Sequence, residues 1–155
     1  MNLRSLAPGE LARLAEVGRT TRPDPWVAEV EQVTFGPGAA RGALDIGGEV
    51  LLLRDANETV GIAVHVQASS FPGAQLVNSF LLDPSKRGQG LGRMGLGLVI
   101  ARAHQHSGHD FVMWNVHPLN EPMIAISTAL VGDPDFHGEH KLVFVHEVTS
   151  PTLSP

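Results

Sequence analysis

The sequence predicts a mixed α+β domain built on one layer of β-sheet flanked by helices. The first half holds three apolar strands joined by short turns, which indicates an antiparallel meander. The second half alternates strand and helix, which indicates crossover connections within the same sheet. The length of 155 residues suits one domain, and 43% hydrophobic residues suffice for a core. We therefore expect a single domain over residues 1–148 and a flexible tail over residues 149–155.

The first half begins with a short strand and two helices before its three strands. Apolar residues recur at helical spacing in residues 10–17 and 26–33. In residues 60–67, large apolar side chains alternate with small or polar ones, which is the period of a strand. Five glycines and a proline lie between Phe35 and Gly48, so we expect a mobile loop there. The predicted elements are a strand at 2–6, helices at 10–17 and 26–33, and strands at 50–54, 60–67 and 75–82.

The second half carries two helices and two strands. The predicted elements are a helix at 91–106, a strand at 111–116, a helix at 120–130 and a strand at 142–148. A helix that connects two strands of one sheet makes a right-handed crossover, which leaves the strands parallel. We therefore expect the strands that begin near Gln75 and Phe111 to be parallel neighbours.

Composition excludes several kinds of protein. The chain has no cysteine, which excludes disulfides, thiolate metal sites and cysteine nucleophiles. It has 16 acidic residues against 11 basic ones and no basic stripe, so we expect no nucleic-acid partner. No apolar run reaches the length of a membrane span, and the N-terminus lacks the apolar stretch of a signal peptide. We expect a cytoplasmic protein without a membrane partner.

The most informative segment is a glycine-rich turn between a strand and a helix. The strand ends at Leu82, and the residues Arg-Gly-Gln-Gly-Leu-Gly lead into the helix at positions 87–92. The first turn of a helix has unpaired N–H groups and a partial positive charge. Glycines let this backbone approach a phosphate closely, and the Arg87 guanidinium donates well to phosphate oxygens. The turn therefore predicts a pyrophosphate-binding site.

Three phosphate-binding patterns can be compared with this turn. The P-loop pattern needs a lysine that the turn lacks. The dinucleotide pattern G-x-G-x-x-G matches Gly90, Gly92 and Gly95, but its first glycine lies too far from the preceding strand. The third pattern, [RQ]-x-x-G-x-[GA], is satisfied by Arg87, Gly90 and Gly92 in the expected place between strand and helix.

With this motif the chain resembles the GNAT superfamily of acetyl-CoA-dependent N-acetyltransferases. A second segment, Trp114–Leu130, is similar to that family's fifth strand and following helix, with Asn120 at the helix start. The resemblance implies a sheet of six to seven strands, mostly antiparallel, flanked by about four helices, with splayed fourth and fifth strands. It also implies a set of residues that bind acetyl-CoA. These are Leu82, Arg87, Gly88, Gln89, Gly90, Leu91, Gly92, Arg93 and Asn120.

The implied reaction is direct attack of a primary amine on the thioester of acetyl-CoA. Many family members carry a tyrosine, the general acid for the thiolate, at the position of Ser127. A base must also accept the proton of the amine, and His65, on the polar face of its strand, and His117 are candidates. The alternative is a degenerate module that binds coenzyme A and senses or scaffolds without turnover. The acceptor stays open, as does the oligomeric state, with a homodimer as one option.

A metal enzyme is the third option. His104, His106 and His109 form a histidine cluster, but residues two apart on a helix point in nearly opposite directions. Histidines near a glycine cap are also typical of helix C-termini. We therefore expect no metal site, and we expect acids such as Glu49 to lie on the solvated surface.

Overall fold

A computed structural model of the protein describes residues 1–7, 9, 39–56 and 58–148. The predicted helices at 10–17 and 26–33 and the predicted tail lie outside these residues. The described strands are β1 (Asn2–Ser5), β2 (Glu49–Asp55), β3 (Glu58–Gln67), β4 (Ala74–Leu82), β5 (Phe111–Val116), β6 (Phe136–His137) and β7 (Leu142–Glu147). The described helices are α1 (Ala39–Asp45), α2 (Leu91–Ser107) and α3 (Glu121–Val131), with a 3₁₀ turn at Pro84–Lys86.

The seven strands form one mixed sheet in the order β1-β2-β3-β4-β5-β7-β6. The first four strands pair antiparallel, as their short turns predict. β4 and β5 pair parallel because α2 connects them by a crossover. The predicted fold class is therefore confirmed, including the parallel pairing of the segments that begin near Gln75 and Phe111.

One expectation about local structure was wrong, and one short strand was not predicted. Residues 39–45, inside the predicted mobile loop, form the helix α1, which ends before Gly47 at a φ of +84°. The glycine-rich composition concealed a short alanine-containing helix that packs its Ala43 against the sheet. The strand β6 was not predicted, because two residues are too few to show a period.

The sheet is covered on both faces. On one face the side chains of Leu51, Leu53, Trp114 and Phe144 pack with the buried side of α2, and residues of α3 pack around them. On the other face Val50, Leu52, Ile62 and Val64 form a smaller apolar cluster with Ala43 of α1. Successive residues of a strand point to opposite faces, so β2 contributes to both clusters. No described helix is long and apolar enough to cross a lipid bilayer.

β4 and β5 separate after three residue pairs. Their pairing runs from Ala74–Phe111 to Leu76–Met113 and goes no further. On the other side of β4, the register with β3 passes from Val64–Ser79 to His65–Val77, so Asn78 is the extra residue of a β-bulge. The bulge therefore lies where β4 leaves β5, and the expected splay of the fourth and fifth strands is confirmed.

Candidate functional site

A cleft of about 310 Å³ opens where β4 and β5 part. Its walls combine apolar side chains with amide, hydroxyl and imidazole groups. The lining residues are Val77, Asn78, Ser79, Phe80, Leu81, Trp114, Asn115, Val116, His117, Asn120 and Met123. Beyond Leu76 the β5 side of β4 has no strand partner in the described sheet. Its backbone groups can therefore bind an extended ligand as a substitute strand.

The glycine-rich turn follows the end of β4. The carboxylate of Asp83 accepts hydrogen bonds from the backbone N–H and the hydroxyl of Ser85, which shapes the 3₁₀ turn. The guanidinium of Arg87 donates from Nη2 to the Leu82 carbonyl at 3.1 Å. Arg87 therefore ties the turn to the last residue of the strand that lines the cleft.

The glycines of this turn serve two purposes. Gly88 and Gly90 have φ values of +80° and +77°, a region that glycine adopts freely and that most other residues, asparagine and aspartate apart, adopt only with strain. A Cβ atom at Gly92 would lie 2.6 Å from Cδ1 of Ile126, so this glycine lets α2 pack closely on α3. The first two residues therefore shape the turn, and the third brings the start of α2 beside α3.

The start of α2 is open to an anion. Gly90 is the N-cap and offers no side-chain hydrogen bond to the first N–H groups. The first turn has no acidic residue, and the Arg93 side chain there is exposed. The unpaired N–H groups and the helix dipole therefore favour a negatively charged group at this end. Gln89 is exposed and Leu91 half-buried at the same turn.

Two of the predicted residues line the far wall of the cleft. Asn120 caps α3, because its Oδ1 accepts a hydrogen bond of 3.3 Å from the Met123 backbone N–H. His117 is exposed, and its Nδ1 accepts a hydrogen bond of 3.1 Å from the Leu119 backbone N–H. The neutral ring therefore carries its proton on Nε2, and Nδ1 is the basic nitrogen.

Ser127 lies outside the cleft lining. The residue is fully buried, and its Oγ accepts a hydrogen bond of 2.8 Å from Nε1 of Trp114. Trp114 itself stacks on Phe144 in the core beneath the cleft. The hydroxyl of Ser127 therefore supports the floor of the cleft from below.

His65 is also absent from the lining, and its predicted position on a polar strand face was wrong. The residue is 0% exposed and lies on the face of the sheet that α2 covers. Its Nε2 lies 3.0 Å from Oε1 of Glu49, and Nε2 of Gln75 lies 2.8 Å from its Nδ1. Burial lowers the pKa of His65, although the nearby Glu49 opposes this shift.

Glu49 was expected on the solvated surface, and this expectation was also wrong, because Glu49 is buried next to His65. Glu49 is 7% exposed, and Arg102 donates to both of its carboxylate oxygens at 2.8 and 2.7 Å. Burial raises the pKa of Glu49, but hydrogen bonds from Arg102, Ser5 and His65 outweigh it and lower the pKa to about 2. An acid next to an apolar strand was the one sequence signal for this buried network.

The histidines near the end of α2 have partners of their own. His104 contacts the His109 carbonyl at 2.7 Å, and His106 contacts the Gly47 carbonyl at 2.9 Å. Within the described ranges, no three histidine, aspartate or glutamate side chains are grouped as metal ligands.

Sequence reasoning missed several polar residues of the cleft. Asn78, Ser79 and Asn115 line it but were not among the predicted site residues. The signal for Asn78 and Ser79 was a pair of polar residues inside an apolar strand. Which face of β4 these two side chains occupy depends on the bulge, because the bulge shifts the alternation of side chains between the two faces by one residue. The sequence alone does not show where a bulge lies.

The chain matches a family model described as Acetyltransferase (GNAT) family over residues 13–127. No curated protein matches its sequence. Solved structures share its fold at low identity. PaiA N-acetyltransferase from Thermoplasma acidophilum, solved with coenzyme A, is 12% identical with a TM-score of 0.65, covering 94% of this chain and 98% of its own.

Two further solved structures share the fold at similarly low sequence identity. Ribosomal-protein-alanine N-acetyltransferase from Brucella melitensis is 16% identical with a TM-score of 0.60, covering 95% of this chain and 99% of its own. YncA from Salmonella typhimurium, solved with its cofactor acetyl-CoA, is 17% identical with a TM-score of 0.59, covering 100% of this chain and 98% of its own.

Proposed function

Because this chain belongs to the acetyltransferase (GNAT) family, we propose that it transfers an acetyl group from acetyl-CoA to a primary amine of an acceptor molecule. The observation that carries this proposal is the cleft between β4 and β5, because the strand that lines it ends at Leu82, just before the glycine-rich turn that leads into α2. An extended thioester with a pyrophosphate at one end matches both features. The structures of PaiA with coenzyme A and of YncA with acetyl-CoA support the same choice of co-substrate.

The proposed co-substrate site follows the chain from the end of β4 into α2. The N–H groups between Gly88 and Arg93 hold the pyrophosphate, helped by the charge of the exposed Arg93. Arg87 keeps the turn on Leu82, where its guanidinium already donates. Gln89, Gly90, Leu91 and Gly92 supply backbone at the same turn. Asn120 faces the other end of the ligand from the start of α3.

The cleft provides the surroundings that the reaction needs. N–H groups on the free edge of β4 can donate to the thioester carbonyl, where negative charge develops as the amine attacks. The apolar side chains of Phe80, Val116 and Met123 exclude water and strengthen these hydrogen bonds. Holding the amine and the thioester together lowers the entropic part of the barrier.

We assign the acceptance of the amine's proton to His117. Its imidazole is the one nitrogen base among the side chains that line the described cleft. The basic nitrogen is Nδ1, which must release the Leu119 N–H before it binds a proton. His65 receives no such role, because both of its ring nitrogens are occupied below the sheet.

The departing thiolate receives no proton from α3 in this proposal. Ser127 is buried and bonded to Trp114, so its hydroxyl does not reach the cleft. A thiol of the cysteine type has a pKa of about 8.5, so its thiolate is a weak enough base to leave without a general acid. The step forms one C–N bond and breaks one C–S bond, and the proton of the amine goes to His117.

A second candidate function is a coenzyme A-binding module without turnover. The observation that favours it is the same contact between Ser127 and Trp114, which leaves the usual position of the general acid inside the core. Such a module would bind coenzyme A through the glycine-rich turn and the cleft but would catalyse no acetyl transfer.

A thiol-release assay over a panel of amines separates the two functions. Wild-type protein is compared with His117→Gln and with His140→Gln, a control histidine that is exposed in the loop before β7. Transferase activity predicts release that depends on an amine, falls roughly a hundredfold in His117→Gln and persists in His140→Gln. Binding of coenzyme A without release for any amine would favour the module.

A further inference from the structure

Three neighbouring strands are joined by a line of buried polar side chains that the proposed reaction does not use. Glu49 of β2, His65 of β3 and Gln75 of β4 are 7%, 0% and 2% exposed. Glu49 and His65 are direct partners in the register, and Gln75 lies two residues before Val77, the partner of His65. The line therefore crosses the sheet on the face that α2 covers.

The hydrogen bonds along this line have a definite direction. The Gln75 amide donates to Nδ1 of His65, so the ring carries its proton on Nε2 and donates to Glu49. Oε1 of Gln75 has no hydrogen-bond partner among the described residues. His65 is therefore a neutral relay that accepts from β4 and donates to β2.

The line is anchored at its Glu49 end. Arg102 of α2 holds the carboxylate with two hydrogen bonds, and the Ser5 hydroxyl of β1 donates to the same group. His106 of α2 lies with its Nδ1 3.5 Å from Glu49 and packs its ring edge-on against His65. These side chains are the charged and titratable groups that surround His65, and they connect it to α2 and β1.

The other end of the line reaches the point where the cleft begins. Gln75 lies in the short stretch of β4 that still pairs with β5. His65 lies opposite Val77, next to the bulged Asn78, and both Val77 and Asn78 line the cleft. Beyond Leu76, β4 is paired on one side only, so β3 alone holds its register there.

We propose that His65 is a positioning residue, which through Gln75 fixes the register of β4 at its bulge and so holds the edge from Val77 to Leu81 open toward the cleft. A slip of one residue would exchange the two faces of β4 and turn the groups that line the cleft into the core. An apolar contact tolerates such a slip, whereas a hydrogen bond between two buried partners does not.

A buried polar line of this kind is a poor source of stability alone. Replacing such networks with well-packed apolar residues is often neutral or stabilising, while breaking one partner is costly. Its advantage is that a shifted strand leaves buried polar atoms without partners. The line lies where β4 separates from β5 but stays paired with β3, and this position supports the positioning role.

The test compares three variants of the full chain. His65→Leu removes both hydrogen bonds at similar volume, whereas His65→Gln keeps one donor and one acceptor. Val50→Ala is the control, because Val50 is fully buried in β2 but belongs to the cluster on the opposite face of the sheet. The first readout is amide hydrogen exchange of residues 77–82, and the second is the affinity for coenzyme A, which rests on the proposed function.

The positioning role predicts that His65→Leu raises exchange in residues 77–82 about tenfold more than in β2. It also predicts an affinity loss of about tenfold, with both effects reversed in His65→Gln. Equal effects in His65→Leu and Val50→Ala, or no rescue by His65→Gln, would overturn it. If wild-type protein fails to bind coenzyme A, the proposed function is wrong, and the hydrogen-exchange result alone tests whether His65 positions β4.

A second variant covers the case in which His65→Leu does not fold. Gln75→Leu keeps the volume of the side chain and removes its hydrogen bond to His65. The positioning role predicts the same local rise in exchange in residues 77–82. A rise spread evenly over β2, β3 and β4 would contradict it and assign the line a general structural role.

Discussion

The indole Nε1 of Trp114 donates a 2.8 Å hydrogen bond to Oγ of Ser127, and both side chains are fully buried. Trp114 belongs to β5 and forms part of the cleft lining, while Ser127 lies on the inner side of α3. The contact therefore joins the strand that bounds the cleft to the helix that begins at Asn120. It makes Ser127 a support for the cleft floor.

Ser127→Ala tests this assignment. The variant leaves the Trp114 N–H buried without a partner, so we expect the free energy of unfolding to fall by about 1–3 kcal/mol. Turnover of the folded variant should change by less than about threefold, since the hydroxyl does not face the reacting groups. Chemical denaturation and thiol release measure the two quantities. Thr128→Ala, an exposed neighbour, is the control, and a large loss of turnover at unchanged stability would contradict the account.

Gly90→Asp tests the anion site at the start of α2. A carboxylate there repels a pyrophosphate and competes for the same N–H groups, so we expect affinity for coenzyme A to fall at least about tenfold. Gly90→Asn is the matched control, because it has the same shape and tolerates positive φ without adding charge. Titration calorimetry at two salt concentrations compares them. Equal losses in both variants would mean that shape, and not charge, governs the site.

Gly92→Ala tests the close packing of α2 on α3. Its Cβ would lie 2.6 Å from Cδ1 of Ile126, the end of a side chain that can turn aside, so we expect a loss of no more than about 1 kcal/mol in stability. Gly97→Ala is the control in the same helix, since its Cβ would meet Leu130 at an ordinary 3.9 Å. That change should stabilise the protein by about 0.5–1 kcal/mol, because alanine favours a helix over glycine. Thermal unfolding of both variants checks the prediction, which a similar effect of the two would refute.

Glu49 makes the stability of the protein depend on pH. Its pKa is lowered from 4.5 to about 2 in the folded protein, so the folded state favours the charged carboxylate. This contribution is present above pH 4.5 and is lost as the pH falls from 4.5 through 2, by about 3 kcal/mol in all. Denaturation of wild-type and Glu49→Gln proteins across this range isolates it. The two curves should converge toward low pH, and parallel curves would contradict the shift.

The regular elements of the fold could be predicted from the sequence because each has a local signal. The alternation of residues 60–67 and the apolar spacing of α2 place both elements to within two residues. The glycine-rich turn was singled out because its arginine and glycines have the spacing of one phosphate-binding pattern and stand between a strand and a helix. The helix α1 and the strand β6 were missed because each is too short to show a period.

The site was harder to predict because its shape depends on long-range pairing. Asn78 lines the cleft only because the register with β3 shifts beside His65. The burial of His65 and Glu49 depends on α2, whose Arg102 comes from a distant part of the chain. A local sequence pattern predicts that polar residues such as these lie on a solvated face, because their hydrogen-bond partners are distant in the sequence.

The most direct test of the account is calorimetric titration of the purified full chain with acetyl-CoA. The account predicts saturable binding of one acetyl-CoA per chain, with the pyrophosphate at the start of α2 and the thioester between β4 and β5. Absence of binding at millimolar acetyl-CoA, in protein shown to be folded by its cooperative unfolding, would contradict it.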